Sequence, residues 1–220
     1  MKYINISGFM EPRFEKLIGG GGEKNVYEDP NDPNRVIGVY HEKAPSPRFV
    51  EGRQHLTKIM HLLFPKNIPD IYDSSYNPHT IVRQRMQLDE GHTVMQKDYE
   101  TNFLGKGFDA NLREAANVVK RKLEEDPRVR DLSVAMEQLV DRDLNARNYG
   151  YDADGNPVFI DTFDPWETYP DGRIATRKFD LVALGEAIEK IEDKSVQKEA
   201  KGHLNELWNL LEAERREGSK

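Results

Sequence analysis

The sequence predicts an α+β chain in which a small sheet with one long helix precedes a mostly helical remainder. Three observations carry this. The first third alternates short β-branched and aromatic runs with dense turn formers. Beyond Met86 apolar residues recur at helical spacing instead. The break divides residues 1–86 from residues 87–220, and a cleft between the two parts is expected. The chain has 220 residues, and no run of 18 or more apolar residues that could form a membrane helix. Its opening residues lack the apolar stretch of a secretory leader, so a cytoplasmic chain is expected. The absence of cysteine excludes disulfides, Cys-type zinc sites and a thiol nucleophile. A net charge of −7 without a basic run argues against nucleic acid as a partner.

The elements follow in order. Residues 14–18 lead into Gly19-Gly20-Gly21-Gly22, and Asn25 to Glu28 form the next strand. Asp29 to Asn34 is a turn, and Val36 to Tyr40 a third strand. Ser46-Pro47 starts a helix, a capping hydroxyl followed by proline at the first helical position. Its apolar residues are Phe49, Leu56, Ile59, Met60 and Leu63. Two strands are expected around Ile71 to Asp73 and from Thr80 to Met86. Leu112, Ala115, Ala116, Val119 and Leu123 mark a helix, and Asp126-Pro127 caps another bearing Leu132, Ala135, Met136 and Leu139. Asp152 to Asn156 is a hairpin turn ahead of the strand Val158-Phe159-Ile160. Leu181, Leu184, Ile188 and Ile191 mark the penultimate helix. Leu204, Leu207, Trp208 and Leu211 mark the last, capped at Ser195.

Chemistry concentrates in Asp141-Arg142-Asp143-Leu144-Asn145-Ala146-Arg147-Asn148. Here a carboxylate and an amide oxygen share one tight loop, as needed to take a proton from a hydroxyl beside a metal-held phosphate. Asp161 follows, behind a hairpin whose return strand would carry it back beside Asn148. Near the start, Gly19, Gly21, Lys24 and Val26 form a glycine-rich turn through which backbone N–H groups can approach phosphate oxygens.

These motifs resemble the protein-kinase family over about residues 14–191. Arg142, Asp143, Leu144 and Asn148 match the catalytic-loop pattern H-R-D-L-x-x-x-N, and Asp161-Thr162-Phe163 stands where kinases carry D-F-G. Asp180 resembles the acid that opens helix F. The compactness is closest to minimal kinases that some bacteria deploy as effectors, which implies a cytoplasmic site or delivery into a host cell. The resemblance implies a bilobal kinase-like fold with a reduced helical C-lobe. It also implies ATP and Mg²⁺ as cofactors and a protein Ser, Thr or Tyr hydroxyl as acceptor.

In that reading Asp143 orients or deprotonates the acceptor, Asn148 and Asp161 hold metal, and Gly19, Gly20, Gly21 and Gly22 cover the phosphates. Val26 and Val36 line the adenine site, and Glu51 is the helix acid that orients a lysine. Alternatives are a pseudokinase acting as a docking module, and a small-molecule phosphotransferase. Two departures stand out. The usual strand lysine would fall at position 38, where the chain has Gly38, and the segment from Asp161 to Asp180 is short. Lys24 can supply the displaced cation, as the with-no-lysine pattern G-x-G-x-x-K-x-V implies, and the alternative is that Lys24 is a solvated loop lysine and Lys43 or no lysine serves ATP. Thr162 stands where the D-F-G aromatic would pack, so an apolar spine is not expected.

Overall fold

The computed structural model describes residues 3–6, 9–12, 16–20, 24–41, 46–72, 80–102, 107–141, 148–168 and 174–217. Their fold is mixed, with one five-stranded antiparallel sheet, three two-stranded sheets and six helices. The five strands are β3 (Leu17–Gly20), β4 (Lys24–Glu28), β5 (Arg35–Tyr40), β6 (Ile71–Tyr72) and β7 (Thr80–Gln84). They lie in the order β3-β4-β5-β7-β6. Register sets what shares a face, because directly opposed residues point the same way. Lys24 opposes Tyr40, Val26 opposes Gly38, Gly38 opposes Ile81, and Val36 opposes Arg83. The β4–β5 turn is local chemistry, with the Asp29 carboxylate accepting from the Asn31 N–H at 2.9 Å. A separate hairpin pairs β1 (Tyr3–Ile6) with β2 (Phe9–Pro12), two strands that the sequence pattern does not announce.

Helix α1 (Pro47–Leu63) begins as expected, with the Ser46 hydroxyl accepting from the Phe49 N–H at 3.2 Å. Such a cap stabilises a helix by about 1 kcal/mol. Phe49, Leu56, Ile59 and Met60 are buried. Helices α2 (Glu90–Asn102), α3 (Ala110–Glu125) and α4 (Pro127–Glu137) follow. Of these, α2 has no counterpart in the expected elements. It buries only Met95 and Asp98, so it shows no apolar stripe. The Asp126 carboxylate caps α4 as expected, accepting from the Arg128 N–H at 2.8 Å.

β8 (Tyr149–Tyr151) and β9 (Pro157–Phe159) form the anticipated hairpin, closed by Asp152 accepting from the Asn156 N–H at 2.8 Å. A further pair, β10 (Trp166–Thr168) with β11 (Ile174–Arg177), occupies the short segment before α5 (Leu181–Glu189). The last helix, α6 (Lys194–Glu217), is capped by Asp193 rather than Ser195. Asp193 Oδ1 accepts from the Ser195 N–H and hydroxyl at 2.8 and 2.6 Å, because Asp193 directly precedes the helix, whereas Ser195 is already its second residue.

One large apolar cluster joins Leu56, Ile59 and Met60 of α1 to Leu132 and Met136 of α4, Leu184 and Ile188 of α5, and Leu207 and Leu211 of α6. Each large side chain fully buried there contributes about 1.5–3 kcal/mol of transfer free energy. A smaller cluster of Tyr40, Val50, Ile71 and Ile81 ties α1 to the sheet. No helix among the described residues is long and apolar enough to cross a membrane.

Candidate functional site

A cavity of about 750 Å³ opens beside the sheet, and six of the sequence-selected residues line it: Gly19, Lys24, Val26, Val36, Asn148 and Asp161. Its volume falls within the usual range for small-molecule sites. Its lining includes the apolar Ile18, Val26, Val36, Met86, Leu88 and Ile160. Lys24, Arg83, Asn148 and Asp161 make one polar end, where Lys24 meets Asp161.

The β8–β9 hairpin creates the polar end. The Ile160 N–H donates to the Asn148 carbonyl at 2.8 Å, so Asp161 emerges on the return strand next to Asn148. Lys24 reaches the same place from β4. Its ammonium donates to Asp161 Oδ1 at 3.4 Å and to Thr162 Oγ1 at 3.3 Å, and it lies 5.6 Å from the Tyr40 ring centre. Its stem runs past Gly38. A Cβ on Gly38 would stand 3.4 Å from Lys24 Cδ and 2.9 Å from Ile81 Cγ2.

Arg83 of β7 donates to the Ile160 carbonyl, fixing the residue before Asp161 from the opposite strand. Recession into the cavity wall works to raise the Asp161 pKa. The charge of Lys24, the Thr162 N–H, Arg83 and Arg53 outweigh it and hold the carboxyl below its ordinary value. Burial lowers the Arg83 pKa, opposed by Asp161 and Tyr40, and a guanidinium stays charged throughout. His92 of α2 also lines the cavity. Burial depresses its pKa, against the Tyr149 carbonyl and the Asp89 charge.

Other expected residues sit elsewhere. Glu51 is exposed on α1, and the lysine it was to orient is engaged with Asp161 and Thr162 instead. The helix dictates this, since Glu51 lies about 200° around from Phe49, on the side away from the buried stripe. The buried charge of α1 is Arg53, only 2% exposed, paired with Asp164 and donating to Tyr40 Oη at 2.7 Å. The sequence carried a signal for it, because Arg53 is in phase with Phe49, Leu56 and Met60.

Gly20 ends β3, and Asp143, Gly21, Gly22 and Lys43 lie outside the described residues. Asp180 caps α5, its carboxylate accepting from the N–H groups of Val182 and Ala183 at 2.9 and 3.0 Å. Its backbone N–H donates to the Leu139 carbonyl, and the Asp141 N–H to the Lys178 carbonyl, which pins the strand leading into residues 142–147. Thr162 is 8% exposed, and Phe163, one residue on, is the aromatic that packs, its ring stacked on Phe159 at 5.1 Å.

Asn148 and Asp161 offer hard oxygen donors, which suit Mg²⁺. No group of three or more His, Cys, Asp or Glu side chains able to hold a metal occurs among the described residues. Two donors are what a magnesium ion shared with phosphate oxygens requires, because such ions take one or two protein carboxylates or amides and leave the rest to substrate and water. The residues fit a phosphate-bound Mg²⁺ and do not fit an all-protein metal cage. The chain matches no known family model and no curated protein.

Proposed function

We propose that this chain is an ATP- and Mg²⁺-dependent kinase of the minimal bacterial, effector-like kind. Its acceptor would be a protein Ser, Thr or Tyr hydroxyl. The observation that carries this reading is Lys24 passing over Gly38 to stand 3.4 Å from Asp161, with Asn148 on the same cavity. A strand lysine missing at one position and a compensating cation at the next strand serve one end, a charge at the phosphates. In this reading the sheet forms most of an N-lobe and the later helices a reduced C-lobe.

The apolar side chains of the cavity, Val26 and Val36 among them, accept the base, and Gly19 leaves open space where phosphates must approach the backbone. The Lys24 ammonium neutralises phosphate charge, worth about 4 kcal/mol at 4 Å and an effective dielectric near 20. Mg²⁺ supplies charge neutralisation on the transferred phosphoryl group, and Asn148 and Asp161 hold it. Asp161 is kept ionised for this by the cations around it. By the catalytic-loop motif, Asp143 accepts the proton from the acceptor hydroxyl.

Incubation with labelled ATP, Mg²⁺ and a host-cell lysate tests the proposal, with Asp143→Asn as control. Label should enter protein, and Asp143→Asn should lower the rate by about 10²–10⁴-fold, the usual contribution of a positioned acid–base group. Asp161→Ala and Asn148→Ala should each remove the Mg²⁺-dependent tightening of ATP binding in calorimetry. Binding of ATP without any labelled product would identify a docking module, and label confined to small molecules a small-molecule phosphotransferase.

A further inference from the structure

The residues that follow Thr162 are backed by α1. The Phe163 N–H donates to Thr57 Oγ1 at 3.1 Å. Arg53 pairs with Asp164, donates to Tyr40 Oη, and lies over the Phe49 ring at 5.0 Å. A Cβ on Gly52 would come within 3.0 Å of the Trp166 ring, so the helix sits as close as a glycine permits. Phe49 meets Trp166 edge-on at 5.8 Å. A buried guanidinium stripped of its partners is costly, so α1 cannot withdraw from this segment without stranding Arg53.

We infer that the Arg53–Asp164 pair is a positioning device: it fastens residues 161–164 to α1 and thereby sets where the Asp161 carboxylate stands opposite Lys24. The polarity is the reverse of the expected arrangement, in which an acid on the helix reaches a lysine on the sheet. Here the helix contributes the cation and the metal-site segment contributes the acid. The pair makes α1 and the Asp161 segment one body. The consequence for metal and nucleotide rests on the proposed function; the fastening itself does not.

The test uses the full chain with Asp164→Asn, a change at a side chain 37% exposed and therefore compatible with folding. Hydrogen exchange is followed at the Phe163 amide, and ATP binding is measured with and without Mg²⁺. Exchange at Phe163 should accelerate about tenfold or more as the segment opens locally. Mg²⁺-dependent tightening should fall about tenfold, the usual effect of losing a group that orients a metal ligand. Affinity for ATP alone should not change, and Asp164→Glu should restore both properties. Arg53→Lys, which keeps the charge but not the two-armed reach, should fall between.

Unchanged exchange in Asp164→Asn overturns the inference. Faster exchange with the Mg²⁺ effect intact reduces the pair to a structural contact and overturns its positioning role. A wild-type chain whose ATP binding ignores Mg²⁺ removes the kinase reading instead, and the exchange result then decides the fastening by itself.

Discussion

On the sheet side of Asp161 stands Lys24, and on the helix side stands Arg53. Both are long cations aimed at the same few residues, yet their surroundings give them different work. Lys24 ends at the wall of an open cavity, where its partners are Asp161 at 3.4 Å and Thr162 at 3.3 Å. Arg53 is sealed between Tyr40, Phe49 and Asp164. A cation at a cavity wall can exchange a protein partner for an incoming anion, because the ligand replaces the lost interactions. A sealed guanidinium has no such exchange available, since leaving its partners uncovers a charge in a poor solvent. Burial, more than residue type, separates the cation that meets a ligand from the one that holds the frame.

The sharpest way to break this comparison is to remove each cation in turn. Lys24→Met should reduce phosphoryl transfer by about 10³-fold, the rate equivalent of roughly 4 kcal/mol at the phosphates. Its melting temperature should stay near that of the wild type, and Lys43→Met should keep full activity. Arg53→Ala should instead lower stability by about 2 kcal/mol, through lost contact with two aromatic rings. Equal melting losses in the two variants would erase the distinction.

Moving the lysine sharpens the sheet side. Lys24→Gly with Gly38→Lys should recover part of the activity. Recovery is limited because a Cβ at position 38 meets Ile81 Cγ2 at 2.9 Å, an overpacking that costs about 1–3 kcal/mol. Adding Ile81→Leu, which moves the branch away from Cβ, should raise the recovery. If the double variant already matches wild type, the gap left by Gly38 has no role.

His92 also lines the cavity, and burial lowers its pKa. Its folded pKa lies below the ordinary value of about 6.5, so on acidification the unfolded chain takes the proton first. Stability should therefore fall as pH drops below about 6.5, and His92→Gln should flatten that slope in thermal melts. An identical slope in the variant would assign the acid sensitivity to other groups.

The smallest effect concerns a helix start far from the cavity. Asp193→Ala should cost about 1 kcal/mol of stability and Ser195→Ala less, because the carboxylate is the group that caps α6. Equal losses would return the cap to the serine.

How much of this was legible in the sequence depended on how local the cause was. β4, the turn at Asp29 to Asn34, β5 and the Ser46 cap are written in neighbouring residues, and each forms where its residues predict. The Asp152 hairpin, and with it the approach of Asp161 to Asn148, is likewise local. α2 was not legible, because polar residues such as His92, Gln96 and Lys97 face the cavity and leave no stripe to read. The β10–β11 pair was missed for a related reason. Trp166 and Phe179 are buried against elements distant in sequence, and their neighbours carry no alternation. Glu51 is the only acid between Pro47 and Lys66, but it stands about 200° around the helix from Phe49, and the charged residue in phase with the buried stripe is Arg53.

The contact between α1 and α6 has a consequence for how the chain is made. Leu56 and Ile59 complete their packing in a cluster that includes Leu207 and Leu211, residues that leave the ribosome about 150 positions after α1. Domains usually fold as units while synthesis proceeds at about 5–20 residues per second. During that interval the inner face of α1 has no permanent cover, although the sheet beside it can already pair. Nascent chains that stop after α5 should expose this face and be captured by chaperones or proteases, whereas those that reach α6 should close. The division into an early sheet and later helices thus describes the order of residues, while closure of the α1 face waits for α6.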